Sequence, residues 1–140
     1  MPNPSLRNKS DMLIHAAELL HRQSYYLAVA HAAYYSCFQL LEYIWLYSMA
    51  MGKFGKELNA SAREASQGVH VFLLNEVARY IAGLEGKDAE TDARTLRNKI
   101  PQLKHLRTEA DYKETVINSE KSKEALDYSR ELLPILTRYL

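Results

Sequence analysis

Apolar residues recur every three to four positions along most of the chain, which is the spacing of an amphipathic α-helix. The first such stretch runs from about Ser5 to Leu20 and carries leucines and alanines on one face, with charged residues elsewhere. Ser24 is a predicted N-cap for a second helix, whose apolar positions continue in steps of three and four as far as Ser48. We expect this second helix to be the longest.

The middle of the chain predicts a connection followed by a third helix. Residues 52–68 mix Gly, Lys, Asn, Ser and Ala, so they are interpreted as a connection with room for one short helix. The third helix is predicted over 69–82, because valine, leucine and isoleucine supply one buried side, and Gly83 or Gly86 ends it.

The last third of the chain predicts two more helices. Thr91 or Asp92 is a predicted cap for the fourth helix, and Pro101 is expected to kink it. Asn118 or Ser119 is the predicted cap of the last helix. The sequence therefore predicts an all-α fold, an antiparallel four- to five-helix up-and-down bundle formed by a single domain over residues 1–140.

Composition narrows the class of protein. The 140 residues include 18 Lys plus Arg and 17 Asp plus Glu, a formal net charge of +1, which excludes a polybasic mode of binding to nucleic acid. The single Cys37 has no partner for an internal disulfide, and the polar N-terminus from Met1 to Asp11 has no apolar run typical of a secretory signal. We expect a cytoplasmic protein.

The second helix also has an alternative interpretation as a membrane span. The stretch from Tyr25 to Met51 contains one formal charge, Glu42, and is long enough to cross a bilayer. Its polar side chains and six tyrosines would each need a polar partner in hydrocarbon, however. A central bundle helix covered by its neighbours explains the same composition, so no membrane association is expected.

The sequence offers no motif for a metal or a cofactor. His15 and His21 are six residues apart and fall on different helix faces, and there is no HExxH motif or Cys-His cluster. Phosphate-loop, dinucleotide-binding and nucleophile-elbow motifs do not occur either. We therefore predict no metal and no cofactor, and His31, on the most apolar helix, is interpreted as structural.

Two Arg and His pairs are candidates for metal-free RNA cleavage, which needs a group that moves the 2′-hydroxyl proton and a cation near the phosphate. Six residues separate Arg63 from His70, whereas Arg97 and His105 are eight positions apart. The alternative for all four is a solvated helix face.

A third constellation consists of Arg107, Asp111 and Tyr112 near the end of the fourth helix. Arg107 and Asp111 are four residues apart, so they can pair on one helix face. Such a pair is usually architectural. The functional alternative is a guanidinium offered to a nucleotide phosphate, with Tyr112 as a stacking surface or hydroxyl donor.

Two stretches of the chain resemble the HEPN domains, a family of small helical proteins. Residues 24–41 (SYYLAVAHAAYYSCFQLL) are similar to the start of the long second helix of that family, and residues 106–112 (LRTEADY) are similar to the Arg-x-x-Ala-Asp-Tyr element of one of its branches. The order of five predicted helices fits as well, so the resemblance covers nearly the whole chain.

The resemblance implies a homodimer, or a complex with a minimal nucleotidyltransferase encoded as a toxin–antitoxin pair. It also implies a nucleotide- or RNA-binding or protein-interaction module at Arg107, Asp111 and Tyr112, since the branch with this element is often interpreted as non-catalytic. The alternative is a metal-independent HEPN RNase toxin. Its Arg-x4-6-His motif is not matched by Arg97 and His105, which have seven residues between them.

Tyrosines surround the second predicted helix in greater number than one core stripe requires. We predict that some of them lie in a dimer contact, where a large ring with a polar end is favoured. The candidates are Tyr25, Tyr26, Tyr35, Tyr43 and Tyr47.

Overall fold

A computed structural model of the chain describes residues 5–112 and 116–140, and all regular structure in this part of the chain is helical. The residues 1–4, part of the polar N-terminal segment, lie outside it. Six α-helices follow one another: α1 (Ser5–Arg22), α2 (Tyr26–Tyr43), α3 (Leu58–Glu64), α4 (Val69–Ala82), α5 (Ala89–Tyr112) and α6 (Ser119–Thr137). A π turn at Ile44–Ser48 extends α2, and a 3₁₀ turn at Gly52–Phe54 precedes α3.

The helix α2 forms the centre of the fold. It packs against α1, α5 and α6, and more narrowly against α4. Ten of its residues are buried, including Tyr34 and Cys37, because helices cover it on several sides. This explains a composition that is apolar nearly all round. None of the helices in the described ranges is both long enough and apolar enough to cross a bilayer.

Contacts between side chains give the direction of the helices. Ser10 bonds near the C-terminal half of α2 at Ser36, and His21 lies against Tyr26 at its start, so α1 and α2 run antiparallel. Along α5 and α6, Lys99 meets Glu131 and Glu109 meets Lys121, which is again an antiparallel order. The predicted antiparallel packing is therefore present in these two helix pairs.

Several predicted elements differ from the structure. The described residues contain six α-helices instead of four or five, because the connection holds the short helix α3. The longest helix is α5, with 24 residues, and not α2, with 18. The predicted N-cap Asn118 is confirmed, since its Oδ1 accepts a hydrogen bond from the Lys121 amide at 2.9 Å.

Ser24 does not cap α2, as the sequence predicted, but ends α1. Its backbone is left-handed, with φ of 63°, and its amide bonds to the His21 carbonyl, while the Tyr25 amide reaches back to the Leu20 carbonyl. These two bonds satisfy the last carbonyls of α1 in a Schellman arrangement. Serine occurs at both ends of helices, and Ser24 lies at the C-terminal end of α1.

Asp92, which was predicted to cap the fourth helix, lies inside that helix instead. The helix α5 begins earlier, at Ala89, and Asp92 is buried inside its first turn, where it contacts Arg138 and Tyr139. The same helix continues through Pro101 as far as Tyr112. Pro101 is exposed, so water can reach the carbonyl that it leaves without a donor.

A chain of buried hydroxyls links α1, α2 and α6. The Ser10 hydroxyl donates to the Ser36 carbonyl at 2.7 Å, and the hydroxyls of Ser36 and Ser129 lie 2.9 Å apart. The Ser36 and Ser129 hydroxyls also lie within hydrogen-bond distance of the Ala33 carbonyl, at 2.6 Å and 3.2 Å respectively. All three serines are buried, and each of their hydroxyls is bonded, as a stable core requires.

Candidate functional site

The guanidinium of Arg107 lies at the centre of the candidate site. Arg107 belongs to the last turns of α5 and is only 6% exposed. Its Nη1 lies 3.3 Å from the Tyr112 hydroxyl and 3.5 Å from Asp111 Oδ2. Its Nε is buried and has no hydrogen-bond partner among the described residues. An unpaired buried donor costs about 1–3 kcal/mol, and because Nε is shielded from solvent, an acceptor from outside the chain reaches it only if neighbouring side chains move.

Three tyrosine rings surround the guanidinium. Its carbon lies 5.4 Å from the ring centroids of Tyr34 and Tyr35 on α2, and 5.6 Å from that of Tyr112. All three distances are within the range of a cation–π interaction. The aromatic faces stabilise the buried charge without using up its hydrogen-bond donors; over residues 5–112 and 116–140, the side-chain partners of the guanidinium lie at Nη1.

Asp111 connects Arg107 to a histidine of α2. Its Oδ2 lies 2.9 Å from His31 Nδ1, and the imidazole also stacks against Tyr35 with ring centroids 4.8 Å apart. The side chain of His31 is 52% exposed. A carboxylate at Nδ1 fixes the orientation of the ring, as in proteins that use histidine to move protons.

A second histidine lies on the inner side of the site. His70 Nδ1 is 2.7 Å from the Tyr34 hydroxyl, and its ring packs on Phe38 at 4.8 Å. Burial, together with the positive charges of Lys104 and Arg107, lowers the pKa of His70 to about 4. Burial also raises the pKa of Tyr34. Both partners are therefore neutral at pH 7.

The structure brings together one of the predicted constellations and leaves the others apart. Arg107, Asp111 and Tyr112 form one cluster, as described above. The side chains of Arg63 and Arg97 are exposed and make no hydrogen bond or ion pair with any residue in the ranges 5–112 and 116–140.

The two predicted histidines have partners other than these arginines. His70 bonds to Tyr34, while His105 is exposed, with Nε2 2.9 Å from Glu109 Oε1. Lys121 reaches the other oxygen of the same carboxylate at 2.8 Å. In this chain, the predicted Arg63–His70 and Arg97–His105 pairs are thus not in contact.

His31, Tyr34 and Tyr35 belong to the site although the sequence analysis did not assign them to it. Together with Phe38 they occupy positions 31, 34, 35 and 38, the spacing of a single helix face. That spacing was the signal in the sequence that could have grouped these residues. It did not show that this face meets Arg107 and Asp111, because α2 and α5 are far apart in sequence.

The cluster combines a guanidinium, a carboxylate and aromatic walls. A guanidinium binds phosphate through paired donors, and exposed rings can stack on a base. Tyr112 is 71% exposed, which leaves its ring open to a ligand. Among the described residues, no group of three His, Cys, Asp or Glu side chains is placed to hold a metal ion.

Comparisons with known proteins add no relative. No protein-family model matches the sequence, and no curated protein or solved structure matches it either.

Proposed function

We propose that the chain is a HEPN-like module that binds a nucleotide or RNA at Arg107, Asp111 and Tyr112. The observation that carries the proposal is the buried guanidinium between three tyrosine rings, whose Nε has no hydrogen-bond partner in the described part of the chain. A buried cation of this kind fits a phosphate, and Tyr112 offers a stacking surface next to it. The resemblance of residues 24–41 and 106–112 to HEPN domains supports the same assignment.

A binding titration with AMP and with a short single-stranded RNA tests this proposal. Arg107→Lys keeps the charge but loses the planar pair of donors, so we expect binding to weaken at least about tenfold. Arg97→Lys on the same helix is the matched control, since Arg97 is exposed and outside the cluster, and it should bind as the wild type does. Equal affinities of the two variants would contradict the proposal.

A second variant tests the aromatic part of the site and leaves Arg107 itself in place. Tyr112→Leu removes an exposed ring, and stacking contributes about 1–3 kcal/mol per base. We expect the affinity for the RNA to fall by about fivefold or more. If Tyr112→Leu binds RNA as tightly as the wild type, the ring has no part in recognition.

The alternative function is a metal-independent RNase, and the His31–Asp111 contact is the observation that favours it. In such a reaction the imidazole takes the 2′-hydroxyl proton, and the freed oxygen attacks the phosphorus. The 5′-oxygen leaves with a proton from a second acid, which gives a 2′,3′-cyclic phosphate. Arg107 would stabilise the charge on the phosphate.

Cleavage of a labelled RNA in the presence of EDTA tests this alternative. His31→Gln should abolish cleavage if His31 moves the proton. Loss of cleavage in His70→Gln or His105→Gln instead would favour the pairs with Arg63 and Arg97. The absence of any cleavage by the purified wild type would contradict the alternative and leave the binding proposal unaffected.

The partners that we propose are a second copy of the chain and a minimal nucleotidyltransferase, in a toxin–antitoxin-type system. The exposed rings of Tyr25, at 65%, and Tyr112, at 71%, are available to such a partner, whereas Tyr43 is buried at 7%. Sedimentation measures self-association, and co-purification with the product of a neighbouring nucleotidyltransferase gene measures the complex. A monomer at high concentration that captures no such partner would contradict both assignments.

A further inference from the structure

Four of the ten tyrosines line a cavity at the other end of α2 from the Arg107 site. Tyr43 lies eight residues beyond Tyr35, which corresponds to about 12 Å along the helix axis. The cavity has a volume of about 380 Å³. It is lined by Tyr43, Tyr47, Ser48, Tyr80, Tyr139 and Leu140. None of these residues takes part in the Arg107 cluster, so the cavity is a separate feature of the fold.

A π turn forms one wall of this cavity. The Met49 amide bonds to the Ile44 carbonyl at 2.7 Å, which closes the wider turn over Ile44–Ser48. Turns of this kind are rare and occur frequently at functional sites. Tyr43 precedes the π turn and Tyr47 lies within it, four positions on, and their rings lie 5.0 Å apart, tilted by 59°.

Hydrogen bonds fix the two rings on the opposite side. The Tyr80 hydroxyl donates to the Ser48 carbonyl at 3.4 Å, at the end of the π turn. The Tyr139 hydroxyl donates to the buried carboxylate of Asp92. Rings held in this way are oriented before a ligand arrives, which reduces the entropy lost on binding.

The charges around the cavity favour a cation. No Lys, Arg or His is among the described residues that line it. Behind Tyr139 stand two carboxylates, Asp92 and Asp88, and one guanidinium, that of Arg138, which contacts both. The net charge of these three groups is therefore negative, and the described lining residues offer a phosphate group no cation of their own.

We propose that this tyrosine cavity binds the methylated ammonium group of a small organic cation. The faces of aromatic rings carry negative potential and attract such a group, and cages of several rings recognise quaternary ammonium ligands. Four rings, two of them fixed by their hydroxyls, supply that environment next to a net negative charge. The assignment is independent of the nucleotide-binding function proposed above, because the two sites share no residue.

A titration with two probes of the same shape tests the proposal in the wild-type chain. Choline carries the positive charge, whereas 3,3-dimethyl-1-butanol replaces its nitrogen by carbon and is neutral. Binding is monitored through the NMR signals of the tyrosine rings. We expect choline to bind saturably, and the neutral probe to bind at least about fivefold more weakly. Equal binding of the two probes, or no saturable binding of choline, would overturn the proposal.

Variants then assign the binding to this cavity. Tyr47→Leu removes one partly buried ring and should weaken choline binding by about fivefold or more, while Tyr47→Phe keeps the ring and should bind within about twofold of the wild type. Tyr25→Leu is the matched control, because Tyr25 is 65% exposed and lies outside the cavity. An unchanged affinity in Tyr47→Leu would place choline elsewhere and refute the assignment. The two-probe comparison needs no variant, so the proposal stays testable even if Tyr47→Leu does not fold.

Discussion

His70 makes the stability of the chain depend on pH in a way that a substitution can isolate. The pKa of this imidazole is lowered from its ordinary value of 6.5 to about 4, because burial and the charges of Lys104 and Arg107 oppose protonation. In the unfolded chain the imidazole regains its ordinary pKa. Between pH 6.5 and pH 4 the unfolded state therefore binds more protons than the folded state, and stability falls as the pH falls.

The size of this effect follows from the two pKa values. A difference of about 2.5 between 6.5 and 4 corresponds to about 3.4 kcal/mol at most, at 1.36 kcal/mol for each pKa unit. His70 is only partly buried, so solvent and salt reduce the interaction, and we expect about 1–2 kcal/mol. The loss should be absent above pH 7.5, mostly developed at pH 4.5 and complete only below the folded-state pKa of about 4.

Urea unfolding of the wild type and of His70→Gln, measured in steps from pH 7.5 to pH 4.5, checks the prediction. Gln can still accept a hydrogen bond from the Tyr34 hydroxyl but does not titrate. The variant should be less stable than the wild type at pH 7.5, because its fit is imperfect, and the difference should shrink by about 1–2 kcal/mol at the acid end. His15→Gln, at an exposed position, controls for the loss of one imidazole. If the curves of His70→Gln and the wild type stay parallel over the whole range, the reasoning is wrong.

Three further predictions concern the core, a helix cap and the thiol. Leu103→Ala removes a fully buried side chain from α5 and should lower the free energy of unfolding by about 2–5 kcal/mol in a urea titration. Asn118→Ala removes the side-chain acceptor at the start of α6 and should cost about 0.5–2 kcal/mol in the same assay, whereas Asn98→Ala, at an exposed position within α5, should cost little. Burial raises the pKa of Cys37 to about 12, so labelling by an aromatic disulfide at pH 8 should be very slow in the folded chain and fast in urea. Rapid labelling without denaturant would show that the thiol is not shielded.

The elements that the sequence predicted well are those that local spacing determines. The bounds predicted for α4, 69–82, are those of the structure, because an apolar face ends at a glycine there. The pairing of Arg107 with Asp111 also follows from a spacing of four on one helix. Such features depend on neighbours within one or two turns.

The rest of the site depends on contacts that no local pattern encodes. His31 meets Asp111 across 80 residues, and the sequence showed only that His31 lies on an apolar helix. The π turn after Tyr43 continues the same apolar spacing as α2, so periodicity did not distinguish it. Both features follow from how the helices pack, so the sequence pattern alone could not predict them.

The buried serines define how α1, α2 and α6 are aligned along their axes. A seam of alanines and leucines alone would tolerate a slide of one turn, about 5.4 Å, with modest loss of contact. Such a slide would strand the hydroxyls of Ser10 and Ser129 in an apolar interior, whereas Ser36 would keep its bond to the Ala33 carbonyl of its own helix. Each orphaned hydroxyl would cost about 1–3 kcal/mol, so misaligned bundles are excluded. In this way three small polar groups hold α2 at one height, and with it both the rings beside Arg107 and those of the tyrosine cavity.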